Sequence, residues 1–351
     1  MLVPKNKIIS GVKTMFEMNM NVKENEKVLI LTDEPTPDQW RMFDENRLID
    51  MIQRIFLAKM VSDVGSELYG KDVDFLVFPS LGKSGTEPTQ DISSKMLEYD
   101  VVIALTTFSL SHTKSRAAVC KKGGRFASMP TFTPDMFFEG GPMSVDYDAI
   151  AKESIELAEM ATKARKARVE GPDGTLIEME LGREFEPDTG LYRNPGEWGN
   201  LPAGEAYGAP MEGTANGKIV VLKGWHPRLE EPMIVTVKDG LAVNIEGGGS
   251  EGDWYRQLLY IGMEIPDDKK DLIMSRRNIA ELGIGTNPNA KRPDIILEAE
   301  KIKGTVHIAI GDNSHFPGGK ISSDLHQDFV IPNAKLWLDN NKIIDSEKFR
   351  L

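Results

Sequence analysis

Apolar runs alternate with amphipathic segments along the first part of the chain. Four mainly apolar runs, of the kind that fill buried parallel strands, predict strands at 27–33, 73–78, 100–106 and 124–129. Around them, hydrophobic residues recur at helical spacing, which predicts helices at 8–20, 39–61, 89–98 and 112–120. Strands that alternate with helices predict a doubly wound α/β domain built on a parallel sheet.

The pattern changes after a long amphipathic helix predicted at 145–168. Short strand-like runs then flank the turn sequences 171–174, 238–240 and 339–342, which is typical of β-hairpins. One clear helix, 252–262, interrupts them. We therefore expect an α/β scaffold domain at 1–167, followed by a mostly antiparallel, β-rich domain at 168–351.

Composition narrows the possible functions. A length of 351 residues exceeds what one core usually supports, which favours two domains. The net charge of −12 argues against nucleic acid and anionic membrane surfaces as partners. No apolar run is long enough for a membrane span or a signal core, and the single cysteine, Cys120, allows neither an internal disulfide nor a thiolate cage. The expected compartment is the cytoplasm.

Candidate metal ligands cluster near the C-terminus. Residues 307–328 hold three of the five histidines and three aspartates. His326 and Asp328 are two apart, so on a strand their side chains leave the same face. His307 lies in a second apolar run, and a glycine-rich link lets the two strands meet. This pattern predicts a metal site; the alternative is a hydrogen-bonded core His307 and a surface His326.

Two glutamates stand in glycine- or proline-rich surroundings instead of on a helix face. Glu205 lies in a predicted loop, and Glu281 lies in an apolar segment of strand character. A lone glutamate is seldom buried without a partner, and a cation would be such a partner. A solvated turn glutamate is the alternative for both residues.

Four ordered motifs between roughly residues 196 and 330 carry a family resemblance. They are Asn-Leu-Pro-x-Gly-Glu-x-x-x-x-Pro, Glu-Leu-Gly-Ile-Gly-Thr-Asn-Pro, Gly-Thr-x-His-Ile-Ala-Ile-Gly and His-x-Asp-Phe. In this order they resemble the C-terminal half of the aminopeptidase T metallopeptidases. The segment between His307 and His326 is shorter than in those peptidases, and Ser314 and His315 stand where a tyrosine is expected. This shorter form also resembles the 2,5-dihydroxypyridine dioxygenases.

The resemblance implies a homodimer and a shared set of metal ligands. That set is Glu205, Glu281, His307, His326 and Asp328. Three carboxylates and two histidines suit a pair of zinc, cobalt or manganese ions, and a two-metal hydrolase needs bridging carboxylates. The ligand count therefore favours an aminopeptidase-like hydrolase of short peptides or other small amides, in which Glu205 and Glu281 also take part in catalysis.

Two other functions stay open. A ring-cleaving dioxygenase needs one ferrous ion, for which His307, His326 and Asp328 would be enough. A metal-binding protein without catalysis is the other. In either enzyme, His315 could donate to an oxyanion or move a proton if it faces the site, because an imidazole can do both near neutral pH. The alternative is that His315 is only a loop residue.

Overall fold

The computed structural model describes residues 3–70, 72–345 and 348–350. The helices are α1 Ile9–Thr14, α2 Pro37–Met42, α3 Glu45–Tyr69, α4 Gln90–Met96, α5 Lys114–Lys121, α6 Tyr147–Lys163, α7 Gly249–Leu258, α8 Lys270–Arg277 and α9 Ile296–Ala299. The strands are β1 Val28–Glu34, β2 Val73–Pro79, β3 Val101–Leu105, β4 Arg125–Ser128, β5 Lys166–Glu170, β6 Leu176–Glu180, β7 Glu186–Asp188, β8 Trp198–Asn200, β9 Glu205–Gly208, β10 Asn216–Val221, β11 Met233–Lys238, β12 Leu241–Gly247, β13 Ile279–Gly285, β14 Val306–Gly311, β15 His326–Ile331, β16 Lys335–Leu338, β17 Asn341–Asp345 and β18 Lys348–Phe349.

One compact unit comprises residues 1–148 and 190–203 and holds a parallel sheet. Its strand order is β2-β1-β3-β4-β8, and β3 is buried along its whole length. This arrangement confirms the parallel α/β prediction, because apolar strands separated by helices bury both faces of a sheet. Strand β8 was not predicted; it follows β4 in space although more than sixty residues separate them in the chain.

The other unit comprises residues 149–189 and 204–351 and holds two antiparallel sheets. The larger has the order β12-β11-β10-β6-β5-β16-β17-β18, and the smaller has the order β15-β14-β13-β9-β7. The three predicted hairpin turns join β5 to β6, β11 to β12 and β16 to β17. The β-rich character of this half of the chain is therefore confirmed.

Several predicted bounds are corrected. The long helix ends at Lys163, because residues 166–170 alternate between exposed and buried side chains and form β5. Two further helices, α8 and α9, accompany the single helix predicted in this half of the chain; both are too short for a clear helical period. Glu205 begins strand β9 rather than standing in a loop. The domain boundary predicted at residue 167 stays a prediction.

Strand β15, at the edge of the smaller sheet, is anchored by an apolar side chain. Phe329 in β15 is fully buried and packs edge-on against the Tyr255 ring at a centroid distance of 5.6 Å. Burial of such a ring stabilises a fold by roughly 1.5–3 kcal/mol. This packing fixes the strand that carries His326 and Asp328. Among the described residues, no helix combines the length and the apolar character needed to cross a membrane.

Candidate metal centre

Four neighbouring strands of the smaller sheet bring the predicted ligands together. Across β13, β14 and β15, Glu281 lies opposite Ala309, which lies opposite Asp328. His307 is two residues before Ala309, so its side chain leaves the same face of β14. Strand β9 adds Glu205 beside β13. Donor atoms of Glu281, His307 and Asp328 consequently lie within 4.8 Å of one another.

The imidazole nitrogens face carboxylate oxygens throughout this cluster. His307 Nε2 lies 3.4 Å from Glu205 Oε2 and 3.4 Å from Glu281 Oε1. His326 Nε2 lies 3.0 Å from Glu281 Oε2 and 3.6 Å from Asp328 Oδ1. The structure therefore brings together all five residues of the predicted ligand set.

A missing side chain makes room for His307. Gly283 is its partner on the adjacent strand, and a Cβ at Gly283 would lie 2.0 Å from His307 Nε2 and 2.1 Å from Cε1. No side chain fits at that distance, so the imidazole lies directly over the glycine backbone. The Glu-Leu-Gly-Ile-Gly motif thus supplies both the Glu281 carboxylate and the space that the His307 imidazole occupies.

The orientation of His326 is set by a backbone carbonyl. Its Nδ1 lies 2.8 Å from the carbonyl oxygen of Asp312, which can only accept a hydrogen bond. The Nδ1–H therefore donates there, and the lone pair of the neutral ring is at Nε2, facing Glu281 and Asp328. Metal-binding histidines are commonly fixed in this way. The His326 side chain is 28% exposed, so the cluster is open to solvent on this side.

The cluster favours positive charge. Burial by itself lowers the pKa of His307, but Glu281 and Glu205 outweigh it and raise the pKa to about 9. Burial also opposes protonation of His326, yet Asp328 and Glu281 raise its pKa well above the usual value. A divalent cation held by these residues would supply this charge in place of the protons.

Unsatisfied atoms support the same conclusion. Among the described residues, Glu205 Oε2, Asp328 Oδ1 and His307 Nδ1 are buried without a hydrogen-bond partner. Two of them are carboxylate oxygens, for which burial without compensation is costly. Imidazole nitrogen and carboxylate oxygen are common ligands of divalent first-row metals. The residues present therefore fit a divalent metal ion.

A buried lysine adjoins the cluster. Lys301 is 2% exposed and contacts Glu205 Oε1, while its Nζ lies 3.0 Å from Glu300 Oε1 and 3.8 Å from Asp188 Oδ2. Burial by itself lowers the pKa of Lys301, but the surrounding carboxylates raise it well above its usual value. The ammonium therefore stays charged.

Comparison with known proteins identifies the family. Residues 7–350 match the family NicX, 2,5-dihydroxypyridine 5,6-dioxygenase. The chain belongs to this family. It is 22% identical over 258 residues to the 2,5-dihydroxypyridine 5,6-dioxygenase of Pseudomonas putida, and the match covers 69% of each chain. The resemblance to dioxygenases is thereby confirmed, and the chain belongs to a family of enzymes.

Two solved structures share the fold of this NicX family member. The 2,5-dihydroxypyridine dioxygenase of Pseudomonas putida KT2440 superposes with a TM-score of 0.70 at 17% identity, and the match covers 99% of this chain and 98% of the other. AmpT from Thermus thermophilus superposes with a TM-score of 0.62 at 12% identity, covering 99% and 100%. At these identities the likeness concerns the fold alone, which is the predicted aminopeptidase-T-like architecture.

The predicted hydrolase is wrong. The family match extends over residues 7–350 and concerns a dioxygenase, whereas the aminopeptidase is only a distant structural neighbour. The prediction rested on counting Glu205 and Glu281 as ligands of a second metal. Motif spacing did not show that Glu205 also accepts a hydrogen bond from Lys301.

The loop between β14 and β15 places His315 next to the cluster. His315 Nδ1 lies 2.6 Å from Asp312 Oδ2, and the His315 ring lies 5.3 Å from the His326 ring. Burial opposes ionisation of Asp312, but hydrogen bonds from His315, the Ser323 backbone and Ser314 lower its pKa. The catalytic role predicted for His315 stays a prediction.

The Glu212 carboxylate holds the same loop in place. Glu212 accepts hydrogen bonds from Arg183, the Asn313 side chain at 2.9 Å and the Lys320 backbone at 3.1 Å. Burial opposes ionisation of Glu212, but the hydrogen bonds from Arg183 and Asn313 lower its pKa to about 2. The loop that carries Asp312 is thus fixed by a charged hydrogen-bond network.

Sequence reasoning missed several residues of this centre. They are Asp188, Gly283, Glu300, Lys301 and Asp312. Glu300 and Lys301 stand next to each other six residues before His307, but an adjacent acid and base on a turn usually lie in solvent. No periodicity marks such a pair as buried.

Proposed function

We propose that the chain is an Fe(II)-dependent dioxygenase that opens the ring of a small dihydroxylated nitrogen heterocycle of the 2,5-dihydroxypyridine type. The observation that carries this proposal is the family match over residues 7–350. The convergence of Glu281, His307 and Asp328 supports it, because these are donors of the type that hold non-haem iron. Our second alternative, a metal-binding protein without catalysis, is an outcome of the tests below.

In this proposal, one ferrous ion is held by Glu281, His307 and Asp328, with His326 as a fourth donor on the exposed side. Ferrous iron, when bound, makes the reaction of dioxygen with an electron-rich ring possible. The protein contributes the orientation of the donors. The Asp312 carbonyl keeps Nε2 of His326 directed at the cluster, and Gly283 leaves the space that His307 occupies.

Aromatic side chains lie beside His326, although Phe316 itself is buried. The Phe316 ring lies 5.9 Å from the His326 ring and 5.6 Å from the Tyr207 ring. Aromatic groups pair favourably at such centroid distances. The 28% exposure of His326 leaves this side accessible. A small aromatic ring would therefore approach the donors from the side of His326.

His315 is proposed to move a proton of a substrate hydroxyl group, with Asp312 holding its Nδ1. Replacing His315 with alanine should lower turnover by about 100-fold or more, since positioned acid or base groups typically contribute at least that much. Iron content should not change. The measurement is steady-state turnover across pH with iron assayed in the same samples, and His112→Ala is the control. Unchanged turnover in His315→Ala would show that His315 is only a loop residue without a catalytic role.

The test of the function uses protein purified without oxygen and loaded with ferrous iron. With 2,5-dihydroxypyridine we expect uptake of one dioxygen per substrate, and both atoms of isotopically labelled dioxygen in the ring-opened product. Bound iron without oxygen uptake would contradict this substrate class. No metal binding at all would contradict the metal centre.

The expected binding partners follow from the proposed reaction and from the net charge of the chain. The substrate is a small molecule, and neither nucleic acid nor a membrane surface is expected to bind, given the net charge of −12. The homodimer implied by the resemblance stays a prediction, which light scattering of the purified chain can test.

A further inference from the structure

Lys301 brings a fixed positive charge to the edge of the metal centre. Its side chain is 2% exposed, which is rare for lysine unless it is paired. Three carboxylates surround its Nζ: Glu205, Glu300 at 3.0 Å and Asp188 at 3.8 Å. Without the ammonium, these oxygens would form a second acidic pocket, of a kind that binds divalent cations.

Glu205 joins this pocket to the metal centre. Its Oε1 contacts Lys301, and its Oε2 lies 3.4 Å from His307 Nε2. In two-metal enzymes, neighbouring ions about 3.5–4 Å apart share bridging ligands. Here one oxygen of the carboxylate faces a candidate metal ligand and the other faces an ammonium. The Glu205 carboxylate thus lies between the candidate metal position and the Lys301 ammonium.

The chain holds Lys301 at this position through its backbone. The Asn287 N–H donates to the Lys301 carbonyl at 2.8 Å, and Lys303 N–H donates to the Asn287 carbonyl at 3.0 Å. Gly285 allows the close approach, because a Cβ there would lie 2.3 Å from the Ile302 carbonyl oxygen. Backbone hydrogen bonds to Asn287, just after β13, therefore hold Lys301 in place.

We propose that Lys301 occupies the position of a second metal ion and thereby restricts this centre to one divalent cation. The inference rests on the metal centre of the proposed function. It adds the residue that limits how many metal ions the centre binds. An ammonium and a divalent cation cannot share one pocket of three carboxylates, because their charges repel at short range. The donor set of a two-metal site is thus present, and a single lysine converts it to a one-metal site.

The test compares metal stoichiometry in the full-length chain after removal of bound metal. Lys301→Met keeps most of the aliphatic side chain and removes the charge, so a cation can take the place of the ammonium beside Glu205 and Glu300. Titration with Mn²⁺, followed by calorimetry and by metal analysis after dialysis, should give one ion in the wild type and two in Lys301→Met. The paramagnetic resonance of the variant should show coupling between neighbouring Mn²⁺ ions, which a merely structural role of Lys301 would not produce.

The matched control is Lys303→Met. Lys303 pairs with Glu153 at 2.7 Å and is two residues away, so its loss should leave the stoichiometry at one. If Lys301→Met is not folded by circular dichroism, the double variant Lys301→Met with Asp188→Asn lowers the negative charge of the pocket and keeps Glu205 and Glu300 for Mn²⁺.

Three outcomes separate the possible errors. A wild type that binds two Mn²⁺ ions would overturn the role of Lys301 and leave the metal centre standing. The role of Lys301 would also be overturned if the folded Lys301→Met variant, or the folded double variant, still saturates at one ion. A wild type that binds no metal would overturn the metal centre itself, and with it the inference.

Discussion

Replacing Asp328 with alanine is expected to remove bound iron and ring-cleaving turnover together. Asp328 Oδ1 is buried without a hydrogen-bond partner among the described residues and faces His326 at 3.6 Å, so the carboxylate is available to a metal. The loss of turnover should exceed the roughly 10- to 100-fold loss that is typical of residues that only support a metal ligand. Iron content per chain and oxygen uptake, assayed on the same preparation, measure both effects.

A surface aspartate serves as the matched control for Asp328→Ala. Asp253 is 69% exposed and pairs with Arg256 on the same helix, an interaction worth about 0–1 kcal/mol. Asp253→Ala should therefore keep both iron and turnover. Full iron occupancy in Asp328→Ala would show that the carboxylate is not a ligand.

The second large effect is expected from Gly283→Ala, a change of one methyl group. The new Cβ would lie 2.0 Å from His307 Nε2, so the imidazole must leave its place over the strand. Metal affinity should fall by about 100-fold or more, the upper end of what loss of ligand orientation costs. Overpacking also costs stability, typically about 1–3 kcal/mol. Equilibrium titration with Fe²⁺ under nitrogen and thermal unfolding measure the two effects separately.

A double-mutant cycle shows whether Gly283→Ala acts through His307. In a His307→Ala background there is no imidazole to displace, so adding Gly283→Ala should change metal affinity little. If the two losses simply add, the methyl group disturbs the sheet in another way. The role assigned to Gly283 would then be withdrawn.

The amino-acid sequence determined most of the architecture and the identity of the candidate ligands. Hydrophobic periodicity records which face of each element is buried, so it located the parallel strands and the hairpin turns. Because side chains two residues apart share a face of a strand, it also placed His326 and Asp328 together. The net charge of −12 argued against nucleic acid and anionic membrane surfaces as partners, which stays a prediction.

Only the tertiary structure decided how charge is compensated inside the centre. Glu205 and Lys301 are 96 residues apart in the chain, and their ion pair exists because β9, β13 and the turn before β14 pack side by side. Strand β8 likewise joins the parallel sheet from a distant part of the chain. A local pattern carries no information about such pairings, since the energy of a buried charge depends on which groups surround it in space. Counting carboxylates along the chain therefore suggested two metals, whereas the folded chain places an ammonium beside one of those carboxylates.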